Sequence, residues 1–364
     1  MTQKQDSQRL RIVHIISGDR WAGAEVQAHT LITELINQGH TLHAILLNGG
    51  ELANKLRDAG ATVRIFDETR LSTWKIFSSL RRELKAIRPD VIHTHRQKEN
   101  ILGSIANKLT GGAKCVRTVH GAPEYTPKGF QKLQCMLDRF CGNYLQDNVI
   151  AVSDDLRNKL TTVFHKDKLC TIHNGLNPEL VSKSLHTPDF KLQHPEIQHI
   201  GIVGRLEPVK RVDIFIRMAY ILAQEMPNTL RHFHIFGDGS LKSKLVEQVA
   251  TLDMSEHITF HGHRSDIRSC INSLDAVVMC SDHEGLPMTA LECLALGTPV
   301  IAHRTGGLTA LLQEHETLTT KSNIPESYAA IINQLDRQLS KDIPYPQDYN
   351  LIHTLNKTIY CYTN

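Results

Sequence analysis

Short apolar runs alternate with segments of helical periodicity along most of the chain, and this alternation restarts near residue 197. In the first half, runs with the length and composition of buried strands occupy residues 11–17, 42–48, 61–66, 90–95, 114–120 and 148–153. In the second half, they occupy residues 197–206, 232–239, 258–263, 276–282 and 298–303. Because strands that alternate with helices form parallel sheets, the sequence predicts an α/β protein of two doubly wound, Rossmann-like domains facing each other across a cleft.

Residues 174–196 separate the two series and contain Asn-Gly, three prolines and no apolar period. A chain of 364 residues also has the length of two ordinary domains. We therefore expect an N-terminal domain at residues 1–185 and a C-terminal domain at residues 186–345. Residues 346–364 are expected to form a C-terminal helix that packs back on the N-terminal domain.

The composition is that of an ordinary globular protein, with 41% hydrophobic and 22% charged residues. The eight cysteines include no CxxC pair, which favours free thiols in a reducing compartment over a metal cluster. No segment has the pattern of a signal peptide or a membrane span, so we expect a cytoplasmic protein. Lys and Arg exceed Asp and Glu in residues 1–180 but not in the remainder, which suits an anionic membrane face or acceptor better than nucleic acid.

Two glutamates, Glu284 and Glu292, flank the start of a predicted helix in SDHEGLPMTALECLALGTP. Eight helical steps would separate their backbones by at most about 12 Å along the axis. A glycosidase pair flanks a single bond at roughly 5–9.5 Å, so the spacing disfavours that chemistry. A helix start attracts anions, and carboxylates beside an anion bind hydroxyls, as when one holds a ribose. The pattern suits a diphosphate between a sugar and a ribose; the alternative is a surface glutamate and an ordinary helix glutamate.

Other loops at strand ends add groups suited to phosphate. GRLEPVKRVD follows the first strand of the second series and contributes Arg205 and Lys210, whose charges can neutralise a diphosphate without a metal. The chain contains no DxD metal motif. Gly23 in WAGAE permits close approach of backbone to phosphate, and a tight strand-to-helix turn explains it equally well. FGDGS at 236–240 and RTGG at 304–307 are further glycine turns.

Several motifs then agree in order and spacing over residues 10–320: WAGAE, DVIHTH, TVHG, IHNGLN, GRLEPVKRVD and EGLPMTALECLALGTPVIAHRTGG. Together they resemble the family 4 retaining glycosyltransferases of the GT-B fold. The resemblance implies a nucleotide-sugar donor on the C-terminal domain and a glycan or lipid-linked acceptor on the N-terminal domain. It implies no metal and no other cofactor.

The resemblance also implies roles for individual residues. Glu292 would hold the ribose, Glu284 the hydroxyls of the transferred sugar, and Arg205 with Lys210 the diphosphate. The sugar and the distal phosphate would meet the backbone N–H groups of the segment that follows Glu284, which comprises Gly285, Leu286, Pro287 and Met288.

His263 and Arg264 stand where the family reads the nucleobase. His120 in TVHG resembles a first-domain histidine near the anomeric carbon, and its alternative is a strand-end histidine bonded to backbone. Similar enzymes retain the anomeric configuration, with the departing phosphate helping to deprotonate the acceptor. His120 and Glu284 would therefore be catalytic by positioning and charge stabilisation.

Two further segments carry open alternatives. Residues 71–89 mix Trp74 and other apolar residues with five Lys and Arg, which suits either a helix on an anionic membrane or a core-packing helix with a solvated basic face. His93 and His95 share a strand face, but no third metal ligand accompanies them in the sequence, and we expect them to line the cleft.

The sequence thus predicts a metal-independent glycosyltransferase, hexosyltransferase-like, that transfers a sugar from a nucleotide-sugar to a hydroxyl acceptor in lipopolysaccharide, capsule or other surface-glycan biosynthesis. One alternative is another GT-B activity such as a nucleotide-sugar epimerase, which would isomerise the donor without needing an acceptor. Another is a non-catalytic nucleotide-sugar binding protein, which would not hydrolyse the donor above background.

Overall fold

A computed structural model describes residues 9–19, 21–121, 128–183, 185–227, 229–334 and 344–364. The chain divides into two compact units. Unit 1 is formed by the residues up to Asn174 together with Leu351–Asn364, and unit 2 is Gly175–Asn350.

Unit 1 is built on a sheet in which every described pair of neighbouring strands is parallel. The strand order is β3-β2-β1-β4-β5-β6-β7, so the direction of winding reverses between β1 and β4. The strands are β1 (Arg11–Ile16), β2 (Thr41–Leu46), β3 (Thr62–Ile65), β4 (Val91–Thr94), β5 (Lys114–Val119), β6 (Asn148–Ala151) and β7 (Leu169–Thr171).

Helices connect these strands and cover both faces of the sheet, as a parallel sheet requires. They are α1 (Gly23–Asn37), α2 (Glu51–Asp58), α3 (Thr73–Ile87), α4 (Gln97–Lys108), α5 (Phe130–Phe140), which continues into a π-helical turn at Cys141–Leu145, and α6 (Asp154–Leu160). Ser153 caps α6 by accepting a hydrogen bond from the backbone N–H of Leu156 at 3.3 Å.

Helix α3 packs its apolar side into the core of unit 1. Ile76, Leu80 and Leu84 are fully buried, whereas Trp74 near the helix start is 73% exposed. The apolar side of the helix is therefore in the core, as the core-packing interpretation of residues 71–89 expects, and contact of its basic face with a membrane stays a prediction.

Unit 2 contains a second parallel sheet with the order β10-β9-β8-β11-β12-β13. Winding reverses between β8 and β11. The strands are β8 (Gln198–Val203), β9 (Arg231–Phe236), β10 (Ile258–Gly262), β11 (Ala276–Met279), β12 (Val300–His303) and β13 (Thr319–Thr320).

The helices of unit 2 surround a core of Ile, Leu, Val and Phe side chains from β8, β9 and α9. They are α7 (Pro178–Val181), α8 (Asp189–Gln193), α9 (Val212–Glu225), α10 (Lys242–Thr251), α11 (Ile267–Ser273), α12 (Met288–Ala295), α13 (Gly307–Leu311) and α14 (Pro325–Gln334). Among the described residues, no helix is long and apolar enough to cross a bilayer.

The last helix, α15 (Leu351–Thr363), belongs to unit 1. Its Leu355, Cys361 and Tyr362 are buried in the same apolar cluster as residues of β1 and α1. The C-terminal segment therefore completes the core of the N-terminal sheet.

Candidate functional site

In unit 2, two polar loops follow neighbouring strands at the point where the winding reverses. Gly204 and Arg205 come directly after β8, and Ser281 and Glu284 come shortly after β11, which pairs with β8. Ligands of doubly wound sheets bind at the carboxyl ends of strands at this point. A pocket here is lined mostly by apolar side chains, with Gly204 and the polar side chains of Arg205, Lys210 and Ser281 among its lining residues.

An ion pair joins these loops. Lys210, at the end of the 3₁₀ turn Pro208–Lys210, lies with its Nζ 2.5 Å from Glu284 Oε1. Ser281 Oγ donates to the same oxygen at 2.6 Å. Among the described residues, none donates a hydrogen bond to the second oxygen of Glu284, Oε2. The carboxylate is therefore held through Oε1, and Oε2 can accept a hydrogen bond from a ligand.

Glycines make the close packing of these loops possible. A Cβ at Gly306 would lie 1.7 Å from the carbonyl oxygen of Glu284, and one at Gly307 would lie 2.2 Å from that of Gly285. The Gly307 N–H donates to the Gly285 carbonyl at 2.8 Å. RTGG therefore fixes the backbone of the Glu284 loop.

FGDGS plays the same part for the Arg205 loop. A Cβ at Gly237 would lie 1.9 Å from the carbonyl oxygen of Gly204, and Gly237 also has a positive φ of 130°. The backbone N–H of Leu206 donates to the carbonyl of Asp238 at 2.9 Å. Both glycine turns noted in the sequence thus support a loop of the candidate site.

Arg211 ties the two loops together. Its guanidinium donates to Asp213 at 3.1 Å and to Asp282 Oδ1 at 3.2 Å, and the Asp282 N–H donates to the carbonyl of Val209 at 2.9 Å. The bonds to these carboxylates raise the pKa of Arg211, which stays charged. The relative position of Lys210 and Glu284 is therefore set by backbone and side-chain bonds on both sides.

Glu292 lies within α12 and is buried, with its Oε1 accepting a bond of 3.0 Å from Arg268 Nε of α11. Burial raises the pKa of this carboxyl, and Arg268 opposes the shift. Arg268 thus stabilises the carboxylate form that can accept a hydroxyl hydrogen bond.

The segment between the two glutamates begins α12 as expected, with Pro287 preceding the first helical residue, Met288. No side chain caps this helix start. Gly285, Leu286 and Met288 are buried, and Pro287 is half-buried. Their role at the helix N-terminus remains a prediction.

His263 and Arg264 follow β10. Asp266 accepts two hydrogen bonds from Arg264, at 2.7 and 2.6 Å, and these bonds lower the pKa of Asp266 to about 2. His263 is exposed. Arg264 is therefore held in one orientation by a bidentate ion pair.

In unit 1, His120 is the first residue after β5, and its Nε2 lies 3.1 Å from His95 Nδ1. Burial, together with the charge of Arg96, lowers the pKa of His120 to about 3, so the ring is neutral.

Gly23 is exposed at the first position of α1, where Ala22 offers no side-chain cap. Arg96 pairs with Asp19 at 2.9 Å and with Glu25.

The expectation that His93 and His95 line a cleft is wrong for His93, which is fully buried; His95 is 5% exposed. The structure also brings a third histidine, His14 of β1, next to them. Parallel pairing of β1 with β4 sets His14 directly opposite His93. This neighbourhood was invisible in the sequence because it depends on strand pairing.

The sequence did not predict two residues that bond to the candidate glutamates, Ser281 and Arg268. Ser281 stands three residues before Glu284, near enough for its hydroxyl to reach that carboxylate, so a signal for Ser281 existed. Arg268 had none, because its contact with Glu292 spans 24 residues.

Known proteins of similar sequence are glycosyltransferases. An Escherichia coli UDP-Gal:alpha-D-GlcNAc-diphosphoundecaprenol alpha-1,3-galactosyltransferase is 26% identical over 327 residues, covering 85% of this chain and 83% of the relative. N-acetyl-alpha-D-glucosaminyl L-malate synthase of Bacillus anthracis is 26% identical, covering 63% of this chain and 60% of the relative.

Solved structures confirm the predicted GT-B fold. The Anabaena protein Alr3699/HepE, crystallised with UDP-glucose, superposes with a TM-score of 0.83 at 19% identity and covers 97% of this chain and 99% of its own. The lipopolysaccharide outer core galactosyltransferase WaaB superposes with a TM-score of 0.65 at 16% identity, covering 97% of this chain and 99% of its own.

Two family models match consecutive parts of the chain. Residues 21–180 match Glycosyltransferase Family 4, and residues 197–337 match Glycosyl transferases group 1. The two models fall on the two units and together account for most of the sequence. The resemblance seen in the motifs is thereby confirmed, and the chain belongs to the family 4, group 1 glycosyltransferases.

Proposed function

We propose that this protein is a retaining glycosyltransferase that moves a hexose from a nucleotide-sugar to a hydroxyl acceptor during surface-glycan synthesis, such as that of lipopolysaccharide or capsule. The observation that carries the proposal is the convergence of Lys210 and Ser281 on Glu284 at the winding reversal of unit 2, where Lys210 and Ser281 also line a pocket together with Arg205. Cations, a carboxylate and a hydroxyl at such a point suit a diphosphate that carries a sugar.

During transfer, the bond between the anomeric carbon and the phosphate oxygen breaks, and the nucleoside diphosphate leaves with the electron pair. Arg205 and Lys210 would stabilise the negative charge that develops on this leaving group. Two cations can supply this stabilisation without a bound metal ion. We therefore expect EDTA-treated protein to transfer sugar at the same rate as untreated protein.

The two glutamates would fix the donor at its two ends. Glu284, held through Oε1, would accept a hydrogen bond from a hydroxyl of the transferred sugar on Oε2. Glu292, held by Arg268, would accept one from the ribose. Backbone N–H groups at the start of α12 would meet the distal phosphate, because a helix N-terminus carries partial positive charge.

His120 would contact the reacting sugar as a neutral imidazole, with the departing phosphate taking the acceptor's proton on the same face. Gly23 at the start of α1 has no side chain, so the donor phosphates would be able to approach the backbone there closely. His263 and Arg264 would contact the base, and the bidentate bond to Asp266 supports a fixed Arg264.

The donor base is proposed to be uracil. The E. coli relative is named for UDP-Gal, and the Anabaena protein was crystallised with UDP-glucose. Ligands that bind the folded state stabilise it by about 2.7 kcal/mol at a hundredfold excess over Kd. A thermal-shift comparison of UDP, GDP and ADP should therefore show the largest shift with UDP, and the absence of a shift with all three would overturn the donor site.

The acceptor is proposed to be lipid-linked, which would place unit 1 at an anionic membrane. Helix α5 has no buried residue. Its exposed apolar side chains recur at helical spacing through the following turn; they are Phe130, Leu133, Leu137, Phe140 and Tyr144. Exposed Lys128, Lys132 and Arg139 accompany them. An apolar stripe beside cations suits the interface of an anionic bilayer.

This surface differs from the hypothesis drawn from residues 71–89, whose apolar side is in the core. Sedimentation with phosphatidylglycerol-containing vesicles tests the difference. Leu133→Ser with Phe140→Ser should release the protein, whereas Trp74→Ser on α3 should leave it bound. Release by Trp74→Ser alone would favour α3, and equal binding to neutral vesicles would contradict the charge contribution.

Transfer itself is tested with a UDP-hexose and a polyprenyl-diphosphate-linked sugar. We expect a new glycosidic bond of the same anomeric configuration as the donor, read from the anomeric proton coupling in NMR. Isomerised donor without acceptor-linked product would favour an epimerase instead.

A further inference from the structure

Hydrogen bonds join His120 to two histidines in the interior of unit 1. His120 Nε2 lies 3.1 Å from His95 Nδ1, and His95 Nε2 lies 3.1 Å from His14 Nδ1. The rings of His95 and His120 are inclined by 18°, and those of His14 and His95 by 24°. His95 thus uses both ring nitrogens to link the site residue to the core.

The bonds continue beyond His14. Its Nε2 lies 3.5 Å from Tyr362 Oη of α15, which lies 2.6 Å from His93 Nδ1, and His93 Nε2 lies 2.8 Å from Thr118 Oγ1. Six side chains therefore form one series, which we call the histidine chain: His120, His95, His14, Tyr362, His93 and Thr118.

The fold explains why these residues meet. Strands β1, β4 and β5 are neighbours in the parallel sheet, and β1 sets His14 opposite His93. His95 and His120 come directly after the ends of β4 and β5, at the same edge of the sheet. The chain therefore leads from the strand ends, where ligands bind, into the core.

The imidazoles of the chain are neutral. Burial lowers the pKa of His14, His93 and His95 well below the usual value and that of His120 to about 3. A neutral imidazole has one donor and one acceptor nitrogen, so each bond fixes which nitrogen of the next ring carries the proton. The tautomer of His120 is consequently tied to that of His95 and, through it, to His14.

A metal site is the competing explanation, since one nitrogen from each of His14, His93 and His95 lies within 4.8 Å of the others. Ring geometry argues against it. The rings of His93 and His95 are stacked with an angle of 8° between their planes, so their in-plane lone pairs do not converge on one point. Both nitrogens of His93 are already engaged by hydroxyl groups.

We propose that His95, His14 and Tyr362 are positioning residues for His120: the histidine chain holds its ring and selects its tautomer, so that Nδ1 meets the substrate in one protonation form. This inference rests on the proposed contact of His120 with the reacting sugar. A neutral histidine in the wrong tautomer presents a donor where an acceptor is needed, or the reverse, and such an error costs catalysis without unfolding the protein.

Two substitutions of His95 separate the bond to His120 from the bond to His14. The amide of His95→Asn takes the place of Nδ1 and keeps a partner for His120, whereas that of His95→Gln takes the place of Nε2 and keeps the partner of His14 instead. We expect His95→Gln, which leaves His120 without its partner, to lower kcat about a hundredfold with KM for the donor unchanged. His95→Asn keeps that partner but breaks the link to His14, so its kcat should lie between those of His95→Gln and the native protein. Equal losses in both variants would overturn the proposal.

A matched control lies in unit 2. His199, His234 and His261 form a similar series, with ring nitrogens 2.9 and 2.8 Å apart. His199→Gln removes a buried, hydrogen-bonded ring that contacts no residue proposed for the site. It should lower thermal stability as His95→Gln does while keeping kcat, and a comparable loss of kcat would show that general destabilisation explains the effect.

The tautomer can be read without turnover. Long-range proton–nitrogen NMR spectra of the full chain with labelled histidine, assigned with His120→Gln, should show one neutral tautomer for His120. Tyr362→Phe removes the hydroxyl that lies three hydrogen bonds from His120 along the histidine chain and should shift His120 to a mixture of tautomers. An unchanged His120 spectrum in Tyr362→Phe would overturn the proposal.

The same spectra test the competing explanation and the proposed function separately. On titration with Zn²⁺ alone, histidine-chain nitrogens that stay unshifted support the proposal, and stoichiometric shifts of His14, His93 and His95 together would establish a metal site and overturn it. If the native protein transfers no sugar but the tautomer responds to Tyr362→Phe, the proposed function fails while the coupling along the chain stands.

Discussion

Lys210 Nζ lies 2.5 Å from Glu284 Oε1, which joins a cation proposed for the diphosphate to a carboxylate proposed for the transferred sugar. Ser281 donates to the same carboxylate oxygen at 2.6 Å. The leaving-group end and the sugar end of the donor are therefore held by one bonded unit. Substitutions of the two partners should nevertheless affect different steps, because the two side chains would meet different parts of the donor.

Lys210→Met should weaken donor binding. A hydrogen bond to a charged group contributes about 1.5–3 kcal/mol, so we expect the Kd of UDP to rise roughly tenfold to a hundredfold in isothermal titration calorimetry. Lys242→Met is the matched control, since Lys242 is an exposed lysine of α10 whose Nζ pairs with Asp238 at 3.1 Å. An unchanged Kd in Lys210→Met would remove this lysine from the diphosphate site.

Glu284→Gln should mainly reduce turnover. The variant keeps the size of the side chain and a partner for Ser281, but it loses the charge that orients a sugar hydroxyl. We expect kcat to fall about a hundredfold in steady-state kinetics while the Kd of UDP, which lacks the sugar, stays near that of the native protein. A large change in the Kd of UDP with little change in kcat would reverse the assignment of the two ends.

Much of the fold was predictable because the core strands are continuous apolar runs. Strands β1 and β8, for example, begin within a residue of their predicted starts. The edge strands β7 and β13 were missed because they have only 3 and 2 residues, too few to form a periodic signal. Local spacing also indicated Glu284 and Glu292, which lie on one loop-and-helix segment.

Contacts between distant residues were beyond the sequence. His14 and His95 are 81 residues apart and meet only because β1 pairs with β4, so two isolated histidines in the sequence gave no sign of a hydrogen-bonded chain. The same holds for Tyr362, which joins His93 across 269 residues through the return of α15 to unit 1. Such contacts require the strand order, which periodicity alone does not specify.

Glu292→Ala should abolish recognition of the ribose 2′-hydroxyl. A carboxylate that accepts a hydrogen bond from this hydroxyl favours UDP over 2′-deoxy-UDP by about tenfold, in line with about 1.5 kcal/mol for one such bond. We expect the preference to disappear in Glu292→Ala and to persist in Glu316→Ala, whose exposed carboxylate pairs with Arg304 at 3.4 Å. Competition binding with UDP and 2′-deoxy-UDP measures this preference in each variant. A preserved preference in Glu292→Ala would exclude the ribose contact.

Gly306→Ala should disturb the Glu284 loop. Gly306 has a φ of 53°, and its new Cβ would lie 1.7 Å from the carbonyl oxygen of Glu284. Gly112→Ala in unit 1 is matched in conformation, with a φ of 68°, but its Cβ would meet no heavy atom within 4 Å. Both variants bear the left-handed backbone cost of about 1–2 kcal/mol. Only Gly306→Ala should also lose UDP affinity, and equal affinities in the two variants would show that the loop tolerates displacement.

Glu99→Gln should change how stability depends on pH. Glu99 at the start of α4 is 1% exposed, and burial raises the pKa of its carboxyl from 4.5 to about 7. Between these two pH values the folded state holds a proton that the unfolded state releases, so the free energy of unfolding falls as pH rises, by about 3 kcal/mol in total. Glutamine stays neutral, so denaturant titrations should show Glu99→Gln and the native protein equally stable at pH 4 but the variant more stable at pH 8. Glu314→Gln, at an exposed site, is the control and should show the same dependence of unfolding free energy on pH as the native protein. If Glu99→Gln also showed the native dependence on pH, Glu99 would be ionised in the folded protein.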